Sequence, residues 1–133
     1  MPKVSVLIPV YNTAPYLEDA IGSILSQTFR DFELVAVDDG STDGSGAILE
    51  ALAMRDRRVR LLPLSTNKGI VGALNAGLEL CGGEYVARMD GDDLAHPERL
   101  RLQLEFLDAH PDHVACGSDL WICLLYTSDA ADE

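Results

Sequence analysis

The side chains best suited to chemistry sit in two acidic stretches, Asp38-Asp39-Gly40-Ser41 and Asp90-Gly91-Asp92-Asp93. Adjacent carboxylates repel one another and are tolerated in water, or where a cation or a hydrogen-bond donor lies between them. In the second stretch Gly91 separates two carboxylates, so an extended turn could aim both at one point. Hard oxygen ligands at that spacing suit Mg2+ or Mn2+, which are usually held by one or two carboxylates together with a substrate phosphate. The competing interpretation is a polar turn in which Asp93 or a neighbour helps to cap a helix opening near Pro97.

The first stretch runs on through Thr42, Asp43, Gly44 and Ser45, and it admits a second chemistry. Asp39, Ser41, Asp43, Gly44 and Glu50 fall on the places of a calcium-binding loop. That loop follows a helix, whereas "FELVAV" before Asp38 is strand-like, and its normally apolar eighth position is Gly46. In an ordinary loop Asp43 and Ser45 would be capping residues. Asp38 and Asp39 differ, because an acid at the end of a buried strand costs stability unless it is solvated or paired. Tyr11 also closes a strand. It is either core edge or, beside Asp39, a flank for a flat base whose N–H the carboxylate accepts. Lys68 could meet a phosphate, but "NKG" lacks the P-loop pattern and a solvated lysine is the plainer reading. His96, His110 and His113 lack metal-ligand spacing and read as surface residues.

These residues need elements to position them. "KVSVLIPVY", "FELVAVDD", "RVRLLPL" and "EYVARMD" read as strands, the third near an edge because of Pro63. Helices are expected between them. The first has Thr13 as its cap, Pro15 in its first turn, and Leu17, Ile21, Ile24 and Leu25 on one face. The second is capped by Ser45 and carries Ile48, Leu49 and Leu52. The third has Ile70, Val71, Leu74 and Leu78 inward and stops at Gly82 and Gly83. A fourth starts at Pro97 with Leu100, Leu104 and Leu107 inward, and "HVACGS" looks like the opening of a fifth strand. Alternating strands and helices with short connections specify an α/β fold, a mostly parallel sheet with helices on both faces. Ligands then collect beyond the carboxyl ends of the strands. Tyr11-Asn12, Asp38–Ser41 and Asp90–Asp93 would all lie along that edge.

The totals narrow the partners. The chain has 133 residues, 47% hydrophobic and 24% charged, which fits one globular domain. A net charge of -12 argues against nucleic acid, but not against a phosphorylated ligand bridged by a divalent cation. Cys81, Cys116 and Cys123 form no C-x-x-C pair, so neither a disulfide framework nor a zinc site is expected, and a reducing compartment fits. No stretch reaches the roughly 18 apolar residues of a membrane span. The expectation is a cytoplasmic protein, with attachment to the inner face of the membrane open for a longer form.

Taken together, "VSVLIPVYN", "SQTFRDFELVAVDDGSTDGS", "NKGIVGALNAGLELCGGEYVARMDGDD" and "HPERL" resemble, in order and spacing, the N-terminal half of a family 2 inverting glycosyltransferase. The resemblance implies the three-layer, Rossmann-like glycosyltransferase A fold, truncated here. It implies transfer of a sugar from a nucleotide-diphospho-sugar donor to a saccharide or lipid-linked acceptor, with Mg2+ or Mn2+. By that resemblance Pro9, Val10 and Tyr11 bound the base pocket and Asp39 binds the base, commonly uracil. Asp90 and Asp92 match the D-x-D acids that serve ribose, diphosphate and metal, and Asp93 shares the cluster. The family's general base comes from its C-terminal half, so no catalytic base is expected here and the chain alone is expected to be inactive. A nucleotidyltransferase-like protein and a calcium-binding module built on "DGSTDGSGAILE" are the alternatives. The resemblance runs from Pro2 to about Leu120. Beyond it, Cys123–Glu133 resembles a translated sequencing adapter, so residues 1–122 are expected to be the incomplete domain and residues 123–133 a non-native tail.

Overall fold

A computed structural model of the chain describes residues 1–119, so the tail expectation lies outside the described residues. Strand β1 (Val4–Val10) is buried along its whole length, as an unbroken Val/Leu/Ile run in a parallel sheet should be. Then follow α1 (Ala14–Leu25), β2 (Phe32–Asp38), α2 (Ser45–Arg55), β3 (Val59–Pro63), α3 (Gly69–Leu78), β4 (Tyr85–Arg88) and α4 (Arg99–Ala109). The strands pair in parallel in the order β3-β2-β1-β4, with β3, which ends on Pro63, at an edge as expected. None of the described helices is long and apolar enough to cross a membrane.

The order explains where a ligand would go. The chain steps outward from β1 to β2 to β3, then jumps back over the sheet to place β4 on the other side of β1. Right-handed crossovers therefore put α1 and α2 on one face and α3 on the other. The tips of β1 and β4, neighbours in the sheet, therefore lie side by side at its carboxyl end, the edge where ligands of parallel α/β sheets collect. Pro9 fits this geometry. The carbonyls of Lys3 and Leu7 accept the amides of Tyr85 and Met89, whereas that of Val10 accepts the amide of Asp39. Odd-numbered positions of β1 thus face β4, and β4 is paired only as far as Leu7↔Arg88. The missing N–H of Pro9 falls beyond the end of that ladder, where none is needed.

Helix α3 turns a different side inward from the one its apolar pattern suggests. Ile70, Val71 and Leu78 are exposed, Val71 at 68%, while Ala73 and Gly77 are buried and Leu74 is partly so. The small residues let the helix lie close against Leu7, Val35 and Val37. A Cβ at Gly77 would overlap the Leu7 side chain and come within 2.7 Å of Val37 Cγ2. Helix propensity alone would favour Ala by about 1 kcal/mol. We expect Gly77→Ala instead to destabilise the fold by about 1–3 kcal/mol through overpacking, read as a lower urea midpoint at unchanged slope. The helix also ends before Gly82, with Glu79 as its C-cap.

Gly82 and Gly83 serve a different purpose, fixing the entry to β4. The Glu33 carboxylate, buried on β2, accepts the Ser5 hydroxyl (2.5 Å), the Gly82 amide (2.7 Å) and the Arg60 guanidinium (3.0 Å). Burial pushes its pKa up, but these three bonds outweigh burial and hold it below the usual range. Ser5 Oγ in turn accepts the Gly83 amide at 2.8 Å, and a Cβ on Gly83 would stand 2.5 Å from the Ser5 nitrogen.

The chain divides into two compact units, Met1–Leu102 and the residues from Gln103 onward. Helix α4 begins in the first, where Leu100 is buried. In the second, Phe106 and His110 stack at 4.2 Å. The expected fifth strand does not form over residues 113–118, and Val114 is 97% exposed. A strand needs a ladder partner, and none pairs with this stretch among the described residues.

Candidate functional site

The loops that leave β1 and β2 are laced together. Asn12 follows β1 in the left-handed region (φ 53), which its short amide side chain tolerates. Its Oδ1 accepts the Thr42 amide (2.8 Å) and the Asp43 amide (3.3 Å), and its own amide donates to Ser41 Oγ (3.1 Å). Thr13 and Ser45 were both expected to be helix caps, and neither side chain is one. Thr13 occupies the N-cap position of α1, but Oγ1 makes no capping bond; it is buried with no hydrogen-bond partner among the described residues. Helix α2 starts at Ser45, after Gly44, and Ser45 Oγ instead accepts the Thr13 amide at 3.1 Å. Asp43 does the capping for both helices, accepting the Ala14 amide at 3.1 Å and the Ser45 amide at 2.9 Å. The hydroxyl and amide of Ser45 draw its carboxyl below the ordinary range.

The paired aspartates divide their labour. Asp38 Oδ1 accepts the Ser41 amide at 3.0 Å, and Oδ2 lies 3.0 Å from where a Gly46 Cβ would be, so this side chain holds its own turn. Asp39 is 3% exposed. Its amide donates to the Val10 carbonyl at 2.8 Å, and its Oδ1 accepts the Lys68 amide at 2.7 Å. Asp39 Oδ2 has no hydrogen-bond partner among the described residues, so it keeps lone pairs for a ligand. Gly40 makes this possible. At φ +74, a Cβ on this residue would stand 2.8 Å from the Asn67 nitrogen, a conformation and a clearance that only Gly accommodates.

At the tip of β4, Asp90, Asp92 and Asp93 each offer a carboxylate oxygen, all within 4.8 Å of one another. Among the described residues no other group of three or more His, Cys, Asp or Glu side chains comes together in this way. Gly91 seats the turn: a Cβ there would lie 2.9 Å from Thr13 Oγ1 and 3.5 Å from both Leu17 Cδ1 and Val10 Cγ2. Arg88 pairs with Asp90 at 3.0 Å. Burial, then the charges of Asp92 and Asp90, push the Asp93 carboxyl up. The donor set is all hard oxygen and strongly anionic, which fits Mg2+ or Mn2+.

Of the residues named from sequence, Val10, Tyr11, Asp39 and the acid cluster thus meet around the end of β1. Tyr11 is 49% exposed just beyond the tip of β1, and Pro9 and Val10 are buried within the strand. Lys68 contributes its amide to Asp39, and its side chain is exposed. The calcium-loop residues do not converge. The oxygens of Asp43 are spent on amides and Asp39 Oδ1 on Lys68. Asn12 was expected at this edge from sequence, but not its part in lacing the two loops together. Its signal would have been an Asn directly after a buried strand.

Comparison with known proteins agrees with this fold. The crystal structure of S. aureus TarS in complex with UDP superposes with a TM-score of 0.75 at 34% identity, over 82% of this chain and 33% of that one. The mannosyltransferase PcManGT from Pyrobaculum calidifontis, in complex with GDP-Man and Mn2+, superposes with a TM-score of 0.74 at 31% identity, over 80% of this chain and 32% of that one. Glycosyltransferase GlyG of Streptococcus pneumoniae is 41% identical over 109 residues, 80% of this chain and 36% of GlyG. The chain spans less than half the length of the relatives it matches. Residues 5–122 match the profile of Glycosyl transferase family 2, and the chain belongs to that family.

Proposed function

We infer that this chain is the donor-binding part of a metal-assisted, inverting glycosyltransferase that takes a nucleotide-diphospho-sugar, with a uridine nucleotide preferred. The observation that carries the reading is the convergence at the end of β1. Asp39 is tied to the Val10 carbonyl, and Gly91 of the acid turn packs on Val10 and Thr13. A recessed acceptor for a base N–H and an anionic cluster therefore share one crevice. The structures of TarS with UDP and with UDP-GlcNAc support a uridine donor, and that of PcManGT with GDP-Man and Mn2+ supports the cation.

In this reading Asp39 Oδ2 accepts the N–H of the base, and the exposed ring of Tyr11 flanks it. Asp90, Asp92 and Asp93 would hold Mg2+ or Mn2+ beside the diphosphate. That ion would act as a Lewis acid toward the charge developing on the leaving diphosphate. The neighbouring carboxylates keep the crevice hostile to a bare diphosphate, which makes donor binding depend on the ion. Inversion also needs a general base at the acceptor hydroxyl. We place that base, with the saccharide or lipid-linked acceptor site, in the part of the relatives that this chain does not span, so the chain alone should bind donor without transferring sugar.

Isothermal titration tests this directly. Uridine diphosphate with Mn2+ should bind, and removing the ion with EDTA should weaken binding at least about tenfold, since a single charge-assisted contact is worth about 1.5–3 kcal/mol. Guanosine diphosphate should bind more weakly. Equal binding with and without the ion would overturn metal assistance, and tight Ca2+ binding in the absence of nucleotide would favour the calcium-module reading.

A further inference from the structure

We propose that Gln27 is a positioning residue for the acid cluster, acting through the stretch that leaves Asp93 and enters α4; this rests on the reading of Asp90, Asp92 and Asp93 as cation ligands. Gln27 is 1% exposed, one of few polar side chains in the core. Its Nε2 donates to the carbonyls of His96 (2.6 Å) and Ser23 (3.1 Å), and its Oε1 accepts the Leu100 amide (3.0 Å). Both ends of the amide are spent, and two of the three bonds reach a segment 69 and 73 residues away. The same turn of chain supplies more. Ser23 Oγ donates to the Ala20 carbonyl at 2.7 Å and accepts the Ala95 amide at 3.0 Å. The Thr28 amide donates to the Pro97 carbonyl at 3.0 Å, and the Thr28 hydroxyl to the Glu98 carboxylate.

Helix α1 thereby gauges the acid turn from below. Its first half meets the turn where Leu17 lies under Gly91. Its last turn, through Ser23, and the residues just after it, Gln27 and Thr28, grip residues 95, 96, 97 and 100, beginning two positions after Asp93. The turn between these anchors holds carboxylates that repel one another. With the exit released, the loop can relax by spreading them apart, which a cation needing several oxygens at once would register as lost affinity. A buried neutral amide suits the task, since it adds no charge to a crowded anionic site, and a half-satisfied one would be costly.

The test compares the wild-type chain with Gln27→Leu, with Ser23→Ala as the milder variant should Gln27→Leu fail to fold, and with Leu49→Ala, a core truncation in α2. The readouts are Mn2+ affinity by electron paramagnetic resonance and amide hydrogen exchange by NMR. We expect Gln27→Leu to weaken Mn2+ binding about tenfold and Ser23→Ala about threefold, in the range of lost orienting partners, with faster exchange confined to the amides of Ala95, Leu100 and their neighbours. Leu49→Ala should lower the melting temperature and leave Mn2+ affinity unchanged. Unchanged Mn2+ affinity in the Gln27 and Ser23 variants, or an equal loss in Leu49→Ala, overturns the proposal. Should wild type bind no Mn2+, the cation reading fails on its own, and the exchange data still decide: selective loosening of residues 93–100 supports the positioning role, uniform loosening refutes it.

Discussion

Replacing Asp39 with Asn is expected to weaken uridine diphosphate binding by roughly ten- to a hundredfold while leaving the fold intact. The two oxygens of this carboxylate have separate tasks, which makes the substitution informative. Oδ1 accepts the Lys68 amide at 2.7 Å and so ties the start of α3 to the tip of β2. An Asn carbonyl can keep that bond. The second position changes from an acceptor to an NH2 donor and would face the N–H of uracil, donor against donor. A charge-assisted bond worth about 1.5–3 kcal/mol disappears, which sets the factor. Asp39→Ala should lose as much affinity and also some stability, because the half-buried Lys68 amide loses its partner. The Asn variant should gain on cytidine diphosphate, whose base presents an acceptor where uracil presents a donor. Titration of both nucleotides against both variants checks this. Undiminished uridine diphosphate binding by Asp39→Asn would remove Asp39 from the base site.

Much of the fold was legible because β1 and β2 are buried on both faces and the connections are short. Val4–Val10 and Phe32–Asp38 have no alternative as apolar runs bounded by Asn12 and by Asp39-Gly40. Helix α3 was misread for a definite reason. In Gly69–Leu78 nearly every side is apolar, so helical spacing marks two possible inner faces. Side-chain size then misleads, because Ala73 and Gly77 bring the helix nearer the sheet than Ile70 and Val71 could. Capping was misread at Thr13 and Ser45 because a hydroxyl next to a helix start is locally a cap, and only the tertiary pairing of two loops reveals that Ser45 serves Thr13. Gln27 was invisible for the same reason, with two of its partners 69 and 73 residues away. The acids were legible as strand tips. The topology that makes β1 and β4 neighbours, and so gathers those tips at one crevice, was only implied by the alternation of elements.

The acid cluster carries the other large expectation, and here function and stability should move in opposite directions. At the dielectric of water, a carboxylate and a divalent cation about 4 Å apart attract by about 2 kcal/mol, or roughly thirtyfold in affinity. Asp92→Asn should therefore weaken Mn2+ binding by about that factor, and Asp92→Asn with Asp93→Asn by about a thousandfold, abolishing metal-dependent nucleotide binding. In the absence of metal the same substitutions relieve repulsion among oxygens gathered within 4.8 Å, so thermal stability at neutral pH should hold or rise by up to about 1 kcal/mol. The pH dependence follows from Asp93, whose carboxyl is pushed up by burial and by Asp92 and Asp90. An acid with its folded pKa above its unfolded one destabilises the fold when ionised, and that cost vanishes as pH falls through the folded value. Protons and Mn2+ compete for the same oxygens. Mn2+ affinity should thus begin to fall on acidification at a pH above that of an ordinary aspartate, and in Asp93→Asn the onset should move to lower pH. Metal titrations at several pH values, paired with melting curves without metal, check both halves. If the neutralised variants melt lower than wild type in the absence of metal, the three carboxylates are held by bonds that stabilise the turn, and it is not a site kept under strain for a cation.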